Sequence, residues 1–309
     1  MIPQESERIA LLGTVFFENM ASLIFRSWLF GVYILTFMIS MHIILQKENN
    51  GWAYIGLIGL LLAGFVMTAL DTFANFVFNF LLVKYALVVS LPGGLIAQEI
   101  AANLKSSAMN ILQSYSGNFI FLIADTAIVW RAWALWAHNK LIKWTLFIIL
   151  LADIGTSIAD AVVDNEANIH MSKNAVTMDS LSAALNLTVN IVATLLIAHR
   201  AWKYHQSTHV VLRNKKTKAQ EILLLMVESG AVFGVMQITD IIFTALDIHT
   251  ASLSPVDNAT LFIEALYLYS AVLNLVALVI LIQTRNTYDH SFHLEDDSSL
   301  EINSVPNVS

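Results

Sequence analysis

Residues 51–70 read GWAYIGLIGLLLAGFVMTAL, an uninterrupted stretch without a charged side chain. A helix rises about 1.5 Å per residue and the hydrocarbon core of a bilayer is about 30 Å thick, so this stretch is long enough to cross a membrane. Its apolar character is continuous rather than alternating, which favours a helix over a barrel strand. The pattern recurs along the chain, and the predicted spans are 27–45, 51–70, 118–137, 144–163, 180–198, 222–246 and 261–282.

The composition agrees with a membrane protein. Of the 309 residues, 57% are hydrophobic and 13% are charged, and the mean hydropathy is +0.67. Soluble domains carry about 25% charged residues, so this chain has too little polar surface to cover a globule in water. The absence of Cys excludes disulfides and thiolate metal sites, and the net charge of −7 argues against a nucleic-acid partner. We therefore predict an all-α, polytopic bundle of seven transmembrane helices, with the lipid bilayer as its surroundings.

Two further apolar stretches contain polar interruptions. Residues 9–25 are predicted to form an amphipathic or extended lead-in to the first span. Residues 73–91 are predicted to continue the second helix beyond the membrane or to form a surface helix, within a long outer loop at 71–117. The alternative is an eighth span, which would invert the orientation of everything downstream. The membrane domain then covers residues 1–285. The tail at 286–309 contains five acidic residues and no Lys or Arg, which predicts a disordered segment.

The distribution of Lys and Arg predicts the orientation. Seven crossings place the termini on opposite faces, and ten basic residues fall on the face that holds the tail, against five on the other face. Because cytosolic loops carry the excess, we predict an outside N-terminus and a cytosolic C-terminus. The ten are Lys47, Lys140, Lys143, Arg200, Lys203, Arg213, Lys215, Lys216, Lys218 and Arg285, and the five are Arg8, Arg26, Lys84, Lys105 and Lys173.

Two loop features follow from this orientation. The sequon Asn258-Ala-Thr260 lies in the outer loop between the last two spans, so Asn258 is the predicted glycosylation site. The basic residues from Arg200 to Lys218 lie in one cytosolic loop. They form either a docking surface for a cytosolic partner or anionic lipid, or a segment that only fixes the topology.

Charged residues inside spans are costly and usually face the interior of a bundle. Arg131 in the third span and Glu228 in the sixth each lie about 9 Å from the cytosolic end of their helices. We predict an ion pair between them, which either holds the bundle together or acts as a latch for the sixth helix. Directly after Glu228, Gly230 and Gly234 form a small-xxx-small pattern that predicts close approach to a neighbouring helix.

Four carboxylates are predicted to lie in the outer half of the bundle. Asp125 and Asp240 lie about 10 Å below the outer ends of their helices, Asp153 is near the middle of the fourth span, and Glu264 is one turn inside the seventh. If they point inward, they line an acidic cavity for a cationic ligand, a metal ion or protons. The alternative is that each side chain is hydrogen-bonded separately to polar neighbours.

The sequence lacks the motifs of membrane enzymes. It contains no HExxH, and its His residues do not cluster at one depth as a zinc site requires. We therefore expect no catalytic activity, cofactor or resident metal.

Several short strings occur in order along the spans. They are Gly31-Val-Tyr33, Ile128-Val-Trp-Arg-Ala-Trp133, Asn190-Ile-Val-Ala-Thr194 with Arg200-Ala-Trp202, and Val227-Glu-Ser-Gly-Ala231. With these strings the chain resembles a large family of heptahelical integral membrane proteins of basidiomycete fungi, over roughly residues 14–285 without the long outer loop. The family is functionally orphan, so the resemblance implies a eukaryotic seven-helix protein and carries over no ligand or catalytic residue.

The topology is also that of G-protein-coupled receptors, although the third span carries Trp130-Arg-Ala-Trp133 instead of Asp-Arg-Tyr. By architectural analogy we predict a receptor or sensor in the plasma membrane or an internal membrane. Its ligand enters from the outside among Asp125, Asp240 and Glu264 and acts through the sixth helix on the basic loop. The alternative is a transporter or proton-coupled carrier that uses the intramembrane carboxylates, against which the chain shows no inverted repeat.

Overall fold

The regular structure of the chain is helical throughout. The computed structural model describes residues 3–46, 52–136, 139–170, 174–209, 218–248, 250 and 253–302, and this part of the chain contains no strand. Seven of its helices are long and apolar enough to cross a membrane, so the chain is a multi-pass membrane protein and the predicted fold class is confirmed. The helices are α1 (Pro3–Leu45), α2 (Trp52–Val83), α3 (Gly94–Leu135), α4 (Lys140–His170), α5 (Asn174–His209), α6 (Lys218–Asp247) and α7 (Pro255–Ile302), and a π-helical turn (Lys84–Val88) extends α2.

Local sequence signals set the helix ends. Between α2 and α3 the chain turns at Gly93 and Gly94, whose φ angles of 128° and 70° strain any residue with a side chain. Asn139 caps α4, because its Oδ1 accepts the backbone N–H of Leu141 at 3.1 Å. Ser254 caps α7, because its Oγ accepts the backbone N–H of Asp257 at 3.1 Å, and the Asp257 carboxylate in turn accepts the backbone N–H of Leu253 at 2.7 Å.

The seven helices form a closed ring. Each helix packs against the next one along the chain, α1 closes the ring on α7, and α3 also contacts α5 and α7. The end at which α1 begins is called here the N-terminal end of the bundle, and it also holds the connections α2–α3, α4–α5 and α6–α7. Aromatic side chains fill the middle, where the rings of Phe37 and Phe65 stack at 4.4 Å and Thr72 shares a hydrogen bond of 2.8 Å with Tyr269.

The outer faces of the helices are apolar, as lipid contact requires. Large aliphatic side chains such as Met38, Ile148, Leu195 and Val232 are exposed. Since lipid tails are as apolar as these side chains, close packing and polar contacts hold the helices together. The predicted close approach at Gly230 is confirmed: a Cβ atom there would collide with Thr194 of α5.

The region predicted as a long outer loop, 71–117, is instead mostly a helical hairpin. α2 continues to Val83 and through the π-helical turn, and α3 already begins at Gly94. The polar residues that interrupt the apolar pattern pair across the hairpin: Asn75 donates to Gln113 at 3.3 Å, and Gln98 donates to the Val89 carbonyl at 2.7 Å. The second helix does continue through residues 73–88, as one of the predictions for residues 73–91 has it. The prediction of a long loop was wrong because these amides serve helix packing and do not end the helices.

The first helix is also longer than predicted. Residues 9–25 belong to one continuous helix with the span at 27–45, and the apolar segment runs over Ala10–Leu45. Glu18 in this lead-in and Arg26 directly after it have partners on other helices: Asn258 of α7 donates to Glu18 at 2.6 Å, and Arg26 pairs with two carboxylates. Satisfied polar groups do not interrupt a helix that is packed in a bundle.

The acidic tail differs from its prediction as well. The backbone of α7 is helical to Ile302, whereas disorder was predicted from residue 286. Residues 286–302 contain neither Gly nor Pro, so a helix that is already formed can extend through them at little cost per residue. The last seven residues, 303–309, lie outside the described part of the chain.

Candidate ligand cavity

A cavity of about 270 Å³ opens at the N-terminal end of the bundle. It lies between α3, α4, α5, α6 and α7. At about 30 Å³ for each water in the liquid, its volume corresponds to about nine waters, which is at the small end of ligand sites. It is called here the N-terminal cavity, and its lining residues are Asn118, Phe121, Asp160, Asp179, Ser180, Ser182, Ala183, Asn186, Asp240, Ile241, Thr244, Ala245, Ile248, Glu264 and Tyr267.

The walls of the cavity are acidic, with a graded exposure. Asp179 is exposed and Glu264 is half-exposed at the mouth, whereas Asp240 and Asp160 are buried deeper. Asp240 lies close enough to Glu264 and Asp179 to interact with both electrostatically. Of the four carboxylates predicted to line one cavity, the structure therefore brings together Asp240 and Glu264, and it adds Asp160 and Asp179.

Asp125 and Asp153, the other two predicted members, do not line the N-terminal cavity. Both are fully buried, and their carboxyl groups contact each other between α3 and α4. None of their four carboxyl oxygens has a hydrogen-bond partner among the described residues. The pair is thus a second acidic site, separate from the cavity in which it was predicted.

Aromatic rings close the inner side of the cavity. Phe121 of α3 stacks on Tyr267 of α7 with ring centroids 4.3 Å apart, and Tyr267 stacks on Phe233 of α6 at 5.9 Å. Phe233 is 1% exposed, and beyond it the interior is lined by buried aliphatic residues such as Val189 and Ile197. The cavity is therefore open towards one end of the bundle and closed by packed side chains towards the other.

Two side chains of the described lining each carry an oxygen atom that lacks a hydrogen-bond donor. Oδ1 of Asp240 and Oδ1 of Asn186 are both buried, and neither has a partner within the described chain. Asn186 is 4% exposed and Asp240 is 9% exposed. A buried acceptor without a partner costs about 1–3 kcal/mol, and more when the acceptor is charged. Asn186 belongs to the α5 wall of the cavity and Asp240 to the α6 wall.

Below these atoms, α5 and α6 are joined by a polar network. Asn190 Nδ2 donates to Gln237 Oε1 at 2.8 Å and to the Gly230 carbonyl at 3.2 Å. Thr194 Oγ1 in turn donates to Asn190 Oδ1 at 3.2 Å. Asn190 lies one turn along α5 from the cavity residue Asn186, so the network continues the cavity wall towards the C-terminal end of the bundle.

Sequence analysis missed an ion-pair group beside the cavity. Arg26 of α1 approaches Glu264 of α7 at 3.6 Å and Asp71 of α2 at 4.0 Å, and Ser116 of α3 lies 3.5 Å from the Asp71 carboxylate. Arg26 and Asp71 are both buried. Arg26 lies between the predicted lead-in and the first predicted span, and Asp71 is the first residue of the predicted loop, so neither was placed inside the bundle. A charged residue that is flanked on both sides by apolar turns was the signal that could have located them.

The predicted ion pair between Arg131 and Glu228 does not form between these two described residues. Glu228 is exposed on the outer side of α6, and α3 packs against α2, α4, α5 and α7. The prediction was wrong because it matched the depths of the two residues and left the direction of each side chain open. Glu228 precedes Gly230 by two residues, or about 200° around the helix, and Gly230 faces α5.

The structure describes the predicted glycosylation site and part of the predicted basic segment. Asn258 lies in the first turn of α7 with its amide nitrogen bonded to Glu18, so glycosylation there remains a prediction and requires that this contact be released. Of the basic segment from Arg200 to Lys218, residues 210–217 lie outside the described residues. Arg200 itself lies over the ring of Trp136 at 5.7 Å, beside an open cavity at the C-terminal end that Lys140 also lines.

The described residues contain no group of three or more His, Asp or Glu side chains that could hold a metal ion. Comparisons with protein-family models, with curated proteins and with solved structures returned no match. The fold and the cavity thus define the class of the chain, a seven-helix multi-pass membrane protein with an acidic cavity at one end of its bundle.

Proposed function

We propose that the chain is a receptor or sensor that binds a small ligand in the N-terminal cavity. The observation that carries the proposal is the shape of this cavity, which is open at one end of the bundle and closed below by Phe121, Tyr267 and Phe233. A site with a packed floor can hold a ligand without offering a path through the membrane. The proposal assigns the chain no catalytic activity.

The proposed route of the signal runs along α5 and α6. These helices supply facing cavity walls, and the hydrogen bonds of Asn190 join them directly below the cavity. A ligand held by both walls binds with a different free energy to each arrangement of the two helices. This difference is what allows a ligand to shift the equilibrium between the two arrangements. The other ends of α5 and α6 lead to the basic segment from Arg200 to Lys218, the proposed contact for a cytosolic partner or anionic lipid.

The direction of the signal depends on how the chain is oriented in its membrane. We propose an outside N-terminal end, because Lys140, Lys143, Arg200 and Lys203 all lie at the other end of the bundle. The membrane is the plasma membrane or an internal membrane. The short sequence strings described above support a relationship to the heptahelical membrane proteins of basidiomycete fungi, which we include in the proposal. Such a relationship agrees with the seven-helix topology.

A distance measurement tests the receptor proposal. The chain has no Cys, so Leu141→Cys and Leu224→Cys place two spin labels on exposed positions of α4 and α6 near the C-terminal end without background labelling. The purified double variant in lipid nanodiscs is screened with a set of small amines, carboxylic acids and neutral compounds. We expect at least one compound to change the distance between the labels, measured by double electron–electron resonance.

A blocked cavity supplies the control. Ala183→Trp fills the N-terminal cavity and should abolish the response, whereas Ala152→Trp adds the same side chain on an exposed face of α4 and should preserve it. A response that survives Ala183→Trp would place the ligand elsewhere. If no compound changes the distance although some bind in the cavity, the receptor proposal is wrong.

The second candidate is a proton-coupled carrier, favoured by the buried contact between Asp125 and Asp153. This candidate predicts proton flux through sealed vesicles that contain the protein and a trapped pH-sensitive dye. The flux should depend on a compound that enters the vesicle, and Asp125→Asn should abolish it. Without compound-dependent flux the carrier candidate fails.

A further inference from the structure

We propose that the N-terminal cavity selects a small organic ammonium ion with at least one N–H bond, that is, a protonated primary, secondary or tertiary amine. The inference rests on the proposed function only in using the same cavity, and it names the chemical class that the cavity binds. Three features of the lining carry it: a buried carboxylate, a buried amide oxygen and an aromatic floor.

The first feature is the pair of buried acceptors. Oδ1 of Asp240 on α6 and Oδ1 of Asn186 on α5 have no hydrogen-bond partner among the described residues, and both side chains are at least nine-tenths buried. A ligand that donates hydrogen bonds to them removes the cost of two unpartnered acceptors. Both atoms accept, so the complementary group is a donor.

The second feature is charge. The cavity is lined by Asp160, Asp179, Asp240 and Glu264, and the described lining contains no basic residue. Arg26 of α1 pairs with Glu264 at 3.6 Å and is not itself part of the lining. A lining that holds several carboxyl groups and no basic residue repels an anion and attracts a cation, so the surroundings favour a cation.

The third feature separates an organic cation from a metal ion. The described residues provide no cluster of three ligands for a metal, and a large part of the cavity is apolar, including Phe121, Ile241 and Tyr267. Aromatic faces attract organic cations, and they also accommodate the hydrocarbon part of an amine. The volume of about 270 Å³ restricts that part to a small group such as one ring and a short arm.

A methylation series tests the class. Phenethylamine and its N-methyl, N,N-dimethyl and N,N,N-trimethyl derivatives are titrated by calorimetry into the full-length protein in nanodiscs at neutral pH, with methylamine as a minimal probe. All five are cations, and only the trimethyl compound has no N–H. Because hydrogen bonds to charged groups are strong, we expect the affinity to fall about tenfold to a hundredfold at the last methylation. An even decline along the series would instead show exclusion by size.

Variants connect the binding to the two acceptors. Asp240→Asn should weaken phenethylamine about tenfold to a hundredfold, and Asn186→Leu about twofold to tenfold. Glu228→Gln removes the same charge from an exposed position on α6 and should leave the affinity within about twofold. Asp240→Glu keeps the carboxylate and should retain more affinity than Asp240→Asn. Gel filtration and circular dichroism establish that each variant is folded.

The inference is overturned by any of three results: no saturable binding of phenethylamine or methylamine, equal affinity for the dimethyl and trimethyl compounds, or unchanged affinity in a folded Asp240→Asn variant. Its failure can be distinguished from failure of the receptor proposal. Amine binding that leaves the distance between labels on α4 and α6 unchanged contradicts the receptor proposal alone. A change in distance caused only by neutral or acidic compounds contradicts the ammonium class alone.

Discussion

Substitution of Gly230 by Ala should destabilise the bundle, although Ala is the better helix former. A Cβ atom at Gly230 would collide with Oγ1 of Thr194 and lie 3.1 Å from its Cγ2. In an open helical position, replacing Gly by Ala stabilises by about 0.5–1 kcal/mol. Forcing an extra carbon into a packed contact costs about 1–3 kcal/mol. The collision should therefore outweigh the gain in helix propensity.

Gly155 of α4 provides the matched position. It is exposed, and a Cβ atom there would meet nothing within 4 Å. Gly155→Ala should thus show the propensity gain alone. The two variants should differ in their free energies of unfolding by about 1–3 kcal/mol, the size of the packing cost. The assay is reversible unfolding in mixed micelles with increasing sodium dodecyl sulfate, followed by circular dichroism.

A second substitution identifies the collision as the cause. Thr194→Ala removes both atoms nearest to the added Cβ, so in the double variant it should restore most of the stability that Gly230→Ala loses. The single Thr194→Ala variant measures the separate cost of losing the hydrogen bond to Asn190. Thr194→Ser keeps the hydroxyl oxygen, which is the closest atom, and should restore little. If Gly230→Ala is as stable as Gly155→Ala, or if Ser restores as much as Ala, the close packing of α5 on α6 does not depend on this glycine.

Three further predictions concern the charged residues and use the same unfolding assay. Asp71→Asn leaves the buried Arg26 with Glu264 alone and should cost about 3–5 kcal/mol, whereas addition of Arg26→Met should recover most of the loss; additive losses would contradict the pairing. Asp125→Asn supplies an N–H donor to Asp153 and should be at least as stable as the wild type, whereas Asp125→Ala should be less stable; equal losses in the two variants would contradict the contact. Glu228→Gln should change the stability by less than about 0.5 kcal/mol, because the carboxylate is exposed, and a larger loss would indicate a partner.

The number of spans could be predicted from the sequence because it depends on one-dimensional information. An apolar run long enough to cross the hydrocarbon identifies a helix whatever its neighbours are. The limits of α1, α2 and α3 could not be found in this way. Glu18, Asn75 and Gln113 reduce the local hydropathy, yet each is bonded to a side chain of another part of the bundle, and those partners are known only from the fold.

Two of the four carboxylates predicted to line the cavity do line it, and the reason is related. Depth along a helix follows from residue number, so Asp240 and Glu264 were placed near the N-terminal end correctly. Direction around the helix depends on which face packs inward, and in a membrane this is the face with small and polar residues. On α6, buried positions follow helical spacing from Gly230 to Phe233, Gln237 and Asp240. This stripe would have predicted the exposed position of Glu228.

The same stripe links the cavity to the helix contact at Gly230. Along α6 it leads from Asp240 in the cavity wall to Gln237 and then to Gly230, and Asn190 of α5 bonds to both of the latter residues. A ligand that joins the two walls therefore favours the arrangement in which this contact is closed. Thermodynamic coupling is reciprocal: the factor by which the ligand stabilises the closed contact is also the factor by which closing the contact raises the affinity for the ligand. A variant that separates the helices at Gly230 must therefore lower this affinity. Gly230→Ala should accordingly reduce the affinity for phenethylamine, although Gly230 does not line the cavity, and an unchanged affinity would exclude this route for the signal.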